Sequence, residues 1–328
     1  MKALVWQAPE RMTLESIPDP RPGKDEVIVR VEAVGICGSE IEGYLGHNSL
    51  RIPPLVMGHE FSGVIEQIGD DAGHLAVGQK VTVNPLLFCG TCRACVRGLV
   101  QLCKERKIIG VHRPGAFAER VAVPAKNIVP VNEQISYTRA ALAEPLACSL
   151  RATRRAMERH PFANVCVIGA GGIGILCAKI AKILGASRVL MADTNAKRLE
   201  TISNIGAADW TVNPLKEDVR EVLTDKFHDQ GIDVVIDAAG FQATRSMALQ
   251  IVNSGGTIMN IGLGIDETRL EMNLAIRSEI ELLWSFCYTP KDFLDAVQLL
   301  QDGKVTEEGW TETRGLMDGA EAFAQLVA

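Results

Sequence analysis

Apolar and polar residues alternate along Glu26–Ala33 (EVIVRVEA), the pattern of a strand with one buried face, and Phe61–Ile68 and Lys80–Val83 repeat it. Proline and glycine punctuate the whole N-terminal region, as in Pro18-Asp19-Pro20-Arg21-Pro22-Gly23, so it reads as short strands joined by turns. The period turns helical over Tyr137–Arg159. A continuous apolar strand at Val165–Ile168 follows, then glycines, then a helical run to Leu184. Further strands are predicted at Arg188–Ala192 and Asp233–Asp237, with a helix over Ala196–Asn204 between them. Strand alternating with helix specifies a parallel sheet with right-handed crossovers. Ser278–Tyr288 (SEIELLWSFCY) is apolar and β-prone and is predicted to be the edge strand of that sheet. The C-terminal stretch carries one helical run, Pro290–Asp302, and reads as a return to the first domain.

A chain of 328 residues has room for two domains of ordinary size. Its 47% hydrophobic and 23% charged residues exclude wholesale disorder and fibrous architectures. A net charge of −6 argues against general attraction to nucleic acid or to an anionic membrane. The opening MKALVWQAPERMTLE meets charged residues before an apolar core can form, so no secretory leader is expected and the expected location is the cytoplasm. The most apolar stretch, Val165–Ala178, is glycine-rich and too short to cross a bilayer. Arg151, Arg154, Arg155 and Arg159 stand at helical spacing and are expected to form a solvated face rather than an anion site.

Nine cysteines are present, and four of them fall within Cys89–Cys103. In a chain without a secretion signal such a cluster indicates metal binding rather than a disulfide framework. Cys89, Cys92 and Cys95 at two-residue gaps, with Cys103 after them, suit a tetrahedral zinc whose positions are all filled by protein, the structural type of site. The next motif is Gly169-Ala-Gly171-Gly172-Ile173-Gly174, following a strand and opening a helix. Gly169 permits the tight turn, Gly171 lets the backbone approach a pyrophosphate, and Gly174 lets helix pack on strand. Asp193 ends the next strand, where a ribose-binding acid belongs; it would accept from the ribose hydroxyls and repel a 2′-phosphate, which favours NAD over NADP.

Cys37 in Gly35-Ile-Cys37-Gly-Ser39, His59 and Glu60 in Gly58-His59-Glu60, and Glu144 in Glu144-Pro-Leu146 cannot be joined into a site by spacing alone. In family order, however, these motifs, the four-cysteine lobe, Gly115-Ala-Phe-Ala-Glu119 and the glycine-rich turn resemble the zinc-dependent medium-chain dehydrogenase/reductase family over nearly the whole chain. The resemblance is strongest to the sorbitol (polyol) and sugar-acid dehydrogenase branch, because Glu144 stands where alcohol dehydrogenases usually have cysteine. It implies an α/β fold: a doubly wound (Rossmann) coenzyme domain over residues 147–287, inserted into a GroES-like β-barrel catalytic domain formed by residues 1–146 and 288–328.

Carried over residue by residue, the resemblance makes Cys37, His59 and Glu144 protein ligands of a catalytic zinc, with Glu60 a second carboxylate that binds directly, through water or intermittently. Ser39 is the hydroxyl expected to receive the substrate proton and relay it. Ile173, Asp193 and Arg198 match cofactor-binding positions, and Ile261-Gly262-Leu263 and Ser285-Phe286 match loops near the nicotinamide. Departures from the family pattern are Glu42 in place of a relay histidine, with His47 near it in sequence; Cys287 in place of a substrate-anchoring arginine beside a matching Tyr288; and Trp284 in place of a glycine. The implied chemistry is hydride transfer between NAD and a secondary alcohol of a small polyhydroxylated molecule, with two zinc ions per chain, in a homodimer or homotetramer. Two other readings stay open here: a dehydrogenase of simple alcohols, diols or L-threonine, and a non-catalytic protein that binds NAD and zinc.

Overall fold

The computed structural model describes residues 1–327, and its fold divides into two compact units. One comprises Met1–Glu144, Thr289–Glu307 and the residues from Thr311 onward; the other comprises Pro145–Tyr288 with Glu308–Trp310. No helix among the described residues is long and apolar enough to cross a membrane.

The second unit is organised by the strand Asn164–Ile168, all five residues of which are buried. Val165 and Val167 face one core with Met191, Val234 and Met259, while Cys166 and Ile168 face the other with Leu190, Val235 and Ile258. A strand buried on both faces has no reason to alternate apolar with polar residues, which accounts for the unbroken run in the sequence. Helix Gly172–Ile183 covers the first face, and helices Val219–Phe227 and Gln242–Ile251 cover the second. Six parallel strands result. Numbered along this unit, they lie in the order 3-2-1-4-5-6, that of a doubly wound dinucleotide-binding sheet.

The outer strand of this sheet is shorter than the sequence predicts. Of Ser278–Tyr288 only Glu281–Trp284 is extended, because Glu279 and Cys287 both adopt a φ of 48° and turn the backbone out of the ladder at each end. Trp284 remains 66% exposed on it. The arginine face of helix Ala143–Met157 is also not the solvated face expected: Arg151, Arg154 and Arg155 are half-buried, and Arg155 Nη1 donates to the Trp284 carbonyl at 2.6 Å. Arg159, beyond the helix, pairs with Glu281 at 3.6 Å. Arg155 and Arg159 thus reach the edge strand, Arg159 with its side chain still 76% exposed.

The first unit is built on a five-stranded antiparallel sheet whose central members are Glu26–Gly35 and Glu60–Ile68. Val27, Val29, Phe61, Ile65, Val81 and Val123 form its core. Register shifts at Ile28/Val29 and Val31/Ala33 bend the first strand, so that its last residue, Gly35, pairs with Glu60. A smaller sheet joins Lys2–Ala8, Arg11–Ser16 and Leu55–Val56. The C-terminal region holds a second helix besides Pro290–Gln301, over Gly319–Val327, that the sequence reading did not anticipate. Phe323 is its one buried residue and packs on Tyr44 and Phe117 at ring-centroid distances of 5.5 and 5.4 Å.

Candidate active site and metal centres

The pairing of Gly35 with Glu60 creates the first cluster. Two residues beyond Gly35 the chain reaches Cys37, and His59 immediately precedes Glu60, so one strand pair delivers all three side chains to the same end of the sheet. Their ligand atoms lie within 4.8 Å of one another. A Cβ on Gly35 would displace the Glu60 carboxylate from its present place. Gly58 has φ +102°, and a Cβ on it would lie 2.7 Å from the Phe117 amide nitrogen, so glycine is required there.

Glu40, which the sequence analysis did not single out, ties the cluster together. Cys37 caps helix Gly38–Tyr44, and Glu40, three residues on, is fully buried. Its Oε2 accepts from the Cys37 amide at 3.1 Å, and its Oε1 accepts from the Gly58 amide at 2.8 Å and from His59 Nδ1 at 2.9 Å. With Nδ1 donating to a carboxylate, the ring is fixed in orientation and Nε2 is the nitrogen left for a metal, which would take the place of a proton there. The signal for Glu40 in the sequence was its place three residues after a helix cap.

The electrostatics of the cluster favour a cation. Burial opposes a charge on His59, but Glu40 and Cys37 outweigh it and hold its pKa well above the ordinary range. Burial pushes Glu60 up to about 8; His59 opposes this, and the Glu144 and Glu40 carboxylates add to it. Cys37 is likewise raised by burial and by Glu60. Several acidic groups thus crowd one buried place, which is unfavourable without a cation. A thiol, an imidazole nitrogen and a carboxylate form a donor set that fits zinc. Glu144, at the start of helix Ala143–Met157, is 7% exposed and close enough to raise Glu60, but it stands outside the close group.

Ser39 Oγ donates to Cys37 Sγ at 3.4 Å and accepts from Arg51 Nη2 at 3.1 Å. Neither sequence candidate for a relay reaches it among the hydrogen bonds of the described residues. Glu42 and His47 instead pair with each other at 3.3 Å, with side chains 49% and 65% exposed.

The second cluster is local. Cys89, Cys92, Cys95 and Cys103 converge, with sulfur–sulfur separations of 3.5 Å for Cys89–Cys103, 3.6 Å for Cys92–Cys95, and 3.9 Å for Cys89–Cys95 and Cys92–Cys103. Zinc–sulfur bonds of ~2.3 Å in a tetrahedron put the sulfurs ~3.8 Å apart, so the four thiols already outline the cage. The amide of Cys92 donates to Cys89 Sγ at 3.4 Å, and the Cys92 and Thr91 amides together bring the Cys89 thiol down to about 6. The paired strands Leu86–Leu87 and Lys107–Ile108 close the base of the lobe.

The predicted cofactor residues gather at the carboxyl ends of the parallel strands, where open α/β sheets bind their ligands. Gly169 turns with φ +103°, and Gly171 caps helix Gly172–Ile183, whose first residues include Ile173 and Gly174. Asp193 Oδ2 accepts from the Ala170 amide at 2.6 Å and Oδ1 from the Asn195 amide at 2.7 Å, so it braces the glycine turn from the adjacent strand end. Arg198 approaches it at 4.0 Å. Asp237, also missed in the sequence, is fully buried at the end of the fourth strand; its side chain accepts from the Ala239 and Gly240 amides at 3.0 and 2.9 Å. Its carbonyl accepts from the Ile261 and Gly262 amides. Gly262 has no space for a Cβ, which would lie 2.5 Å from Gly240 N; Leu263 beside it is exposed. Ser285 is buried and Phe286 partly exposed at the end of the edge strand.

Comparison with known proteins follows the same division. Residues 23–133 match the model of the alcohol dehydrogenase GroES-like domain, and residues 172–302 that of the zinc-binding dehydrogenase domain. The chain is 34% identical to the L-galactonate-5-dehydrogenase of Escherichia coli K12 over 94% of its own length and 89% of that protein's. It is also 34% identical to the L-threonine 3-dehydrogenase of Coxiella burnetii, over 80% of this chain and 77% of the relative. A zinc-binding dehydrogenase of Sinorhizobium meliloti 1021, solved bound to NADP, superimposes with a TM-score of 0.92 at 29% identity, covering 98% of this chain and 95% of that one.

Proposed function

The chain belongs to the zinc-dependent medium-chain alcohol dehydrogenase family, and on that premise we propose an NAD-dependent enzyme that interconverts a secondary alcohol and its ketone on a polyol, sugar alcohol or sugar acid. The observation that carries this reading is the buried Cys37–His59–Glu60 group held together by Glu40. Cys37, His59 and Glu60 or Glu144 would hold one zinc, and the four-cysteine lobe a second. The first zinc, with an open position, would supply Lewis-acid activation of the substrate oxygen. Glu40 orients His59, Ser39 faces the cluster, and burial of Glu40, His59 and Glu60 keeps bulk water from their charged groups, while Cys37 stays partly accessible. A GroES-like unit of residues 1–146 and 288–328 and a coenzyme unit of residues 147–287 are the proposed domains, and the cytoplasm the proposed location.

The preference for NAD rests on Asp193, with Gly169, Gly171, Gly172, Ile173, Gly174, Arg198, Ile261–Leu263, Ser285 and Phe286 completing the proposed cofactor site. A carboxylate already braced by two amides cannot swing away from a 2′-phosphate without releasing the glycine turn. Asp193→Ala should therefore narrow the ratio of specificity constants for NAD over NADP by about tenfold or more. Equal efficiency with both cofactors in the unmutated enzyme would contradict the assignment.

The exposed edge at Glu281–Trp284 supports a homodimer formed by pairing two such edges, or a tetramer of two dimers. Light scattering that finds an active monomer at micromolar concentration would rule this out. The similarity to an L-threonine 3-dehydrogenase supports the second reading, an amino-alcohol dehydrogenase. Initial rates of NADH formation across polyols, sugar acids, L-threonine and simple secondary alcohols separate the two. The highest kcat/KM is expected on a polyhydroxylated substrate, and a clear preference for L-threonine or a simple alcohol would overturn that.

A further inference from the structure

Arg51 is 5% exposed, and its guanidinium points into the ligand cluster rather than into water. Nη2 donates to Ser39 Oγ at 3.1 Å, and Ser39 Oγ donates onward to Cys37 Sγ at 3.4 Å. The fold makes space for this side chain. A Cβ on Gly43 would lie 2.6 Å from Arg51 Cδ, so helix Gly38–Tyr44 presents a glycine where the arginine stem passes. Burial works against the guanidinium charge, and the nearby Glu40 and Cys37 work in its favour.

We propose that Arg51 is a positioning residue that fixes the Ser39 hydroxyl toward the Cys37–His59–Glu60 cluster. The proposal rests on the dehydrogenase reading and deepens it. A guanidinium offers N–H donors only, has no acceptor, and does not give up its protons in proteins. With one lone pair of Ser39 Oγ filled by Arg51, the hydroxyl is held at the cluster, its proton on Cys37 Sγ. Ser39 cannot hand a proton on through Arg51, because Arg51 cannot accept one. Ser39 Oγ keeps a second lone pair, which can accept the substrate's hydroxyl proton while Arg51 holds the side chain in place. As that proton arrives, the proton Ser39 already carries leaves to solvent and not to Arg51.

The test is a double-mutant cycle of Arg51→Gln and Ser39→Ala, measured as kcat and KM with NAD and the best substrate of the comparison above. Arg51→Gln should lower kcat by about tenfold with little change in the KM for NAD, and Ser39→Ala by more. Because Arg51 acts through Ser39, the double variant should match Ser39→Ala within about twofold. Arg51→Lys, which keeps a charged donor, should recover kcat to within about threefold of the parent. Crystals of Arg51→Gln should show Ser39 in more than one χ1 rotamer, a readout independent of turnover. If Arg51→Gln fails to fold, Arg51→Met, which keeps the stem volume and removes the donors, runs the same cycle against Ser39→Ala. Additive losses in the double variant, or Ser39 held in its present rotamer without Arg51, overturn the proposal. An unmutated enzyme that reduces NAD with no member of the panel would instead overturn the dehydrogenase reading itself.

Discussion

Cys37→Ser is expected to abolish NAD reduction, lowering kcat/KM by at least about a thousandfold, while the protein still folds and loses less melting temperature than Cys92→Ser does. The two halves of that expectation have separate causes. The thiol is the sulfur donor in a group whose ligand atoms all lie within 4.8 Å, and a serine hydroxyl is a far poorer ligand for zinc. The backbone at residue 37, by contrast, loses nothing. Its amide still donates to Glu40, and serine is a better helix cap than cysteine for Gly38–Tyr44. Steady-state kinetics and a thermal melt on the same preparation check both halves. A variant that keeps a tenth of parental activity, or one that does not fold, would show that Cys37 has another role.

Cys92→Ser should have the opposite profile, losing stability first. The lobe has almost no core of its own: its buried residues are Cys95, Val100 and Cys103, packed with Phe88, Cys89 and Cys92. Four of those six side chains are the proposed ligands, so without a metal very little apolar area holds the lobe closed. The melting temperature is expected to fall by roughly 10 °C, with trypsin cutting at the exposed Arg93 or Arg97 under conditions that leave the parent intact. A lobe equally resistant to trypsin before and after the change would mean that the cysteines stabilise it by packing alone.

The contrast between these two sites also governs what could be read from the sequence. The lobe is closed by residues within fifteen positions of one another, Cys89 to Cys103, and is visible as spacing. The glycine turn is likewise contiguous, and the buried run Val165–Ile168 announced a central strand because both its faces are covered. Glu40 was not legible, because its meaning depends on Gly58 and His59 arriving through the Gly35–Glu60 strand register. Arg51 was hidden for the same reason, since nothing local marks a surface-type residue as buried. The edge strand was overextended in the reading because its apolar run continues past Glu279 and Cys287, while left-handed backbone at those two residues ends the pairing. Helix Gly319–Val327 was passed over although Phe323 and Ala320 pack from it onto the smaller sheet's core.

Both metal proposals meet in a single quantity, the zinc bound per chain in purified parent, Cys37→Ser and Cys92→Ser proteins. The account predicts two zinc ions in the parent and one in each variant, with the Cys37→Ser protein stable but inactive. A fully active parent holding no more than one zinc, or a Cys37→Ser protein that still holds two, would contradict it.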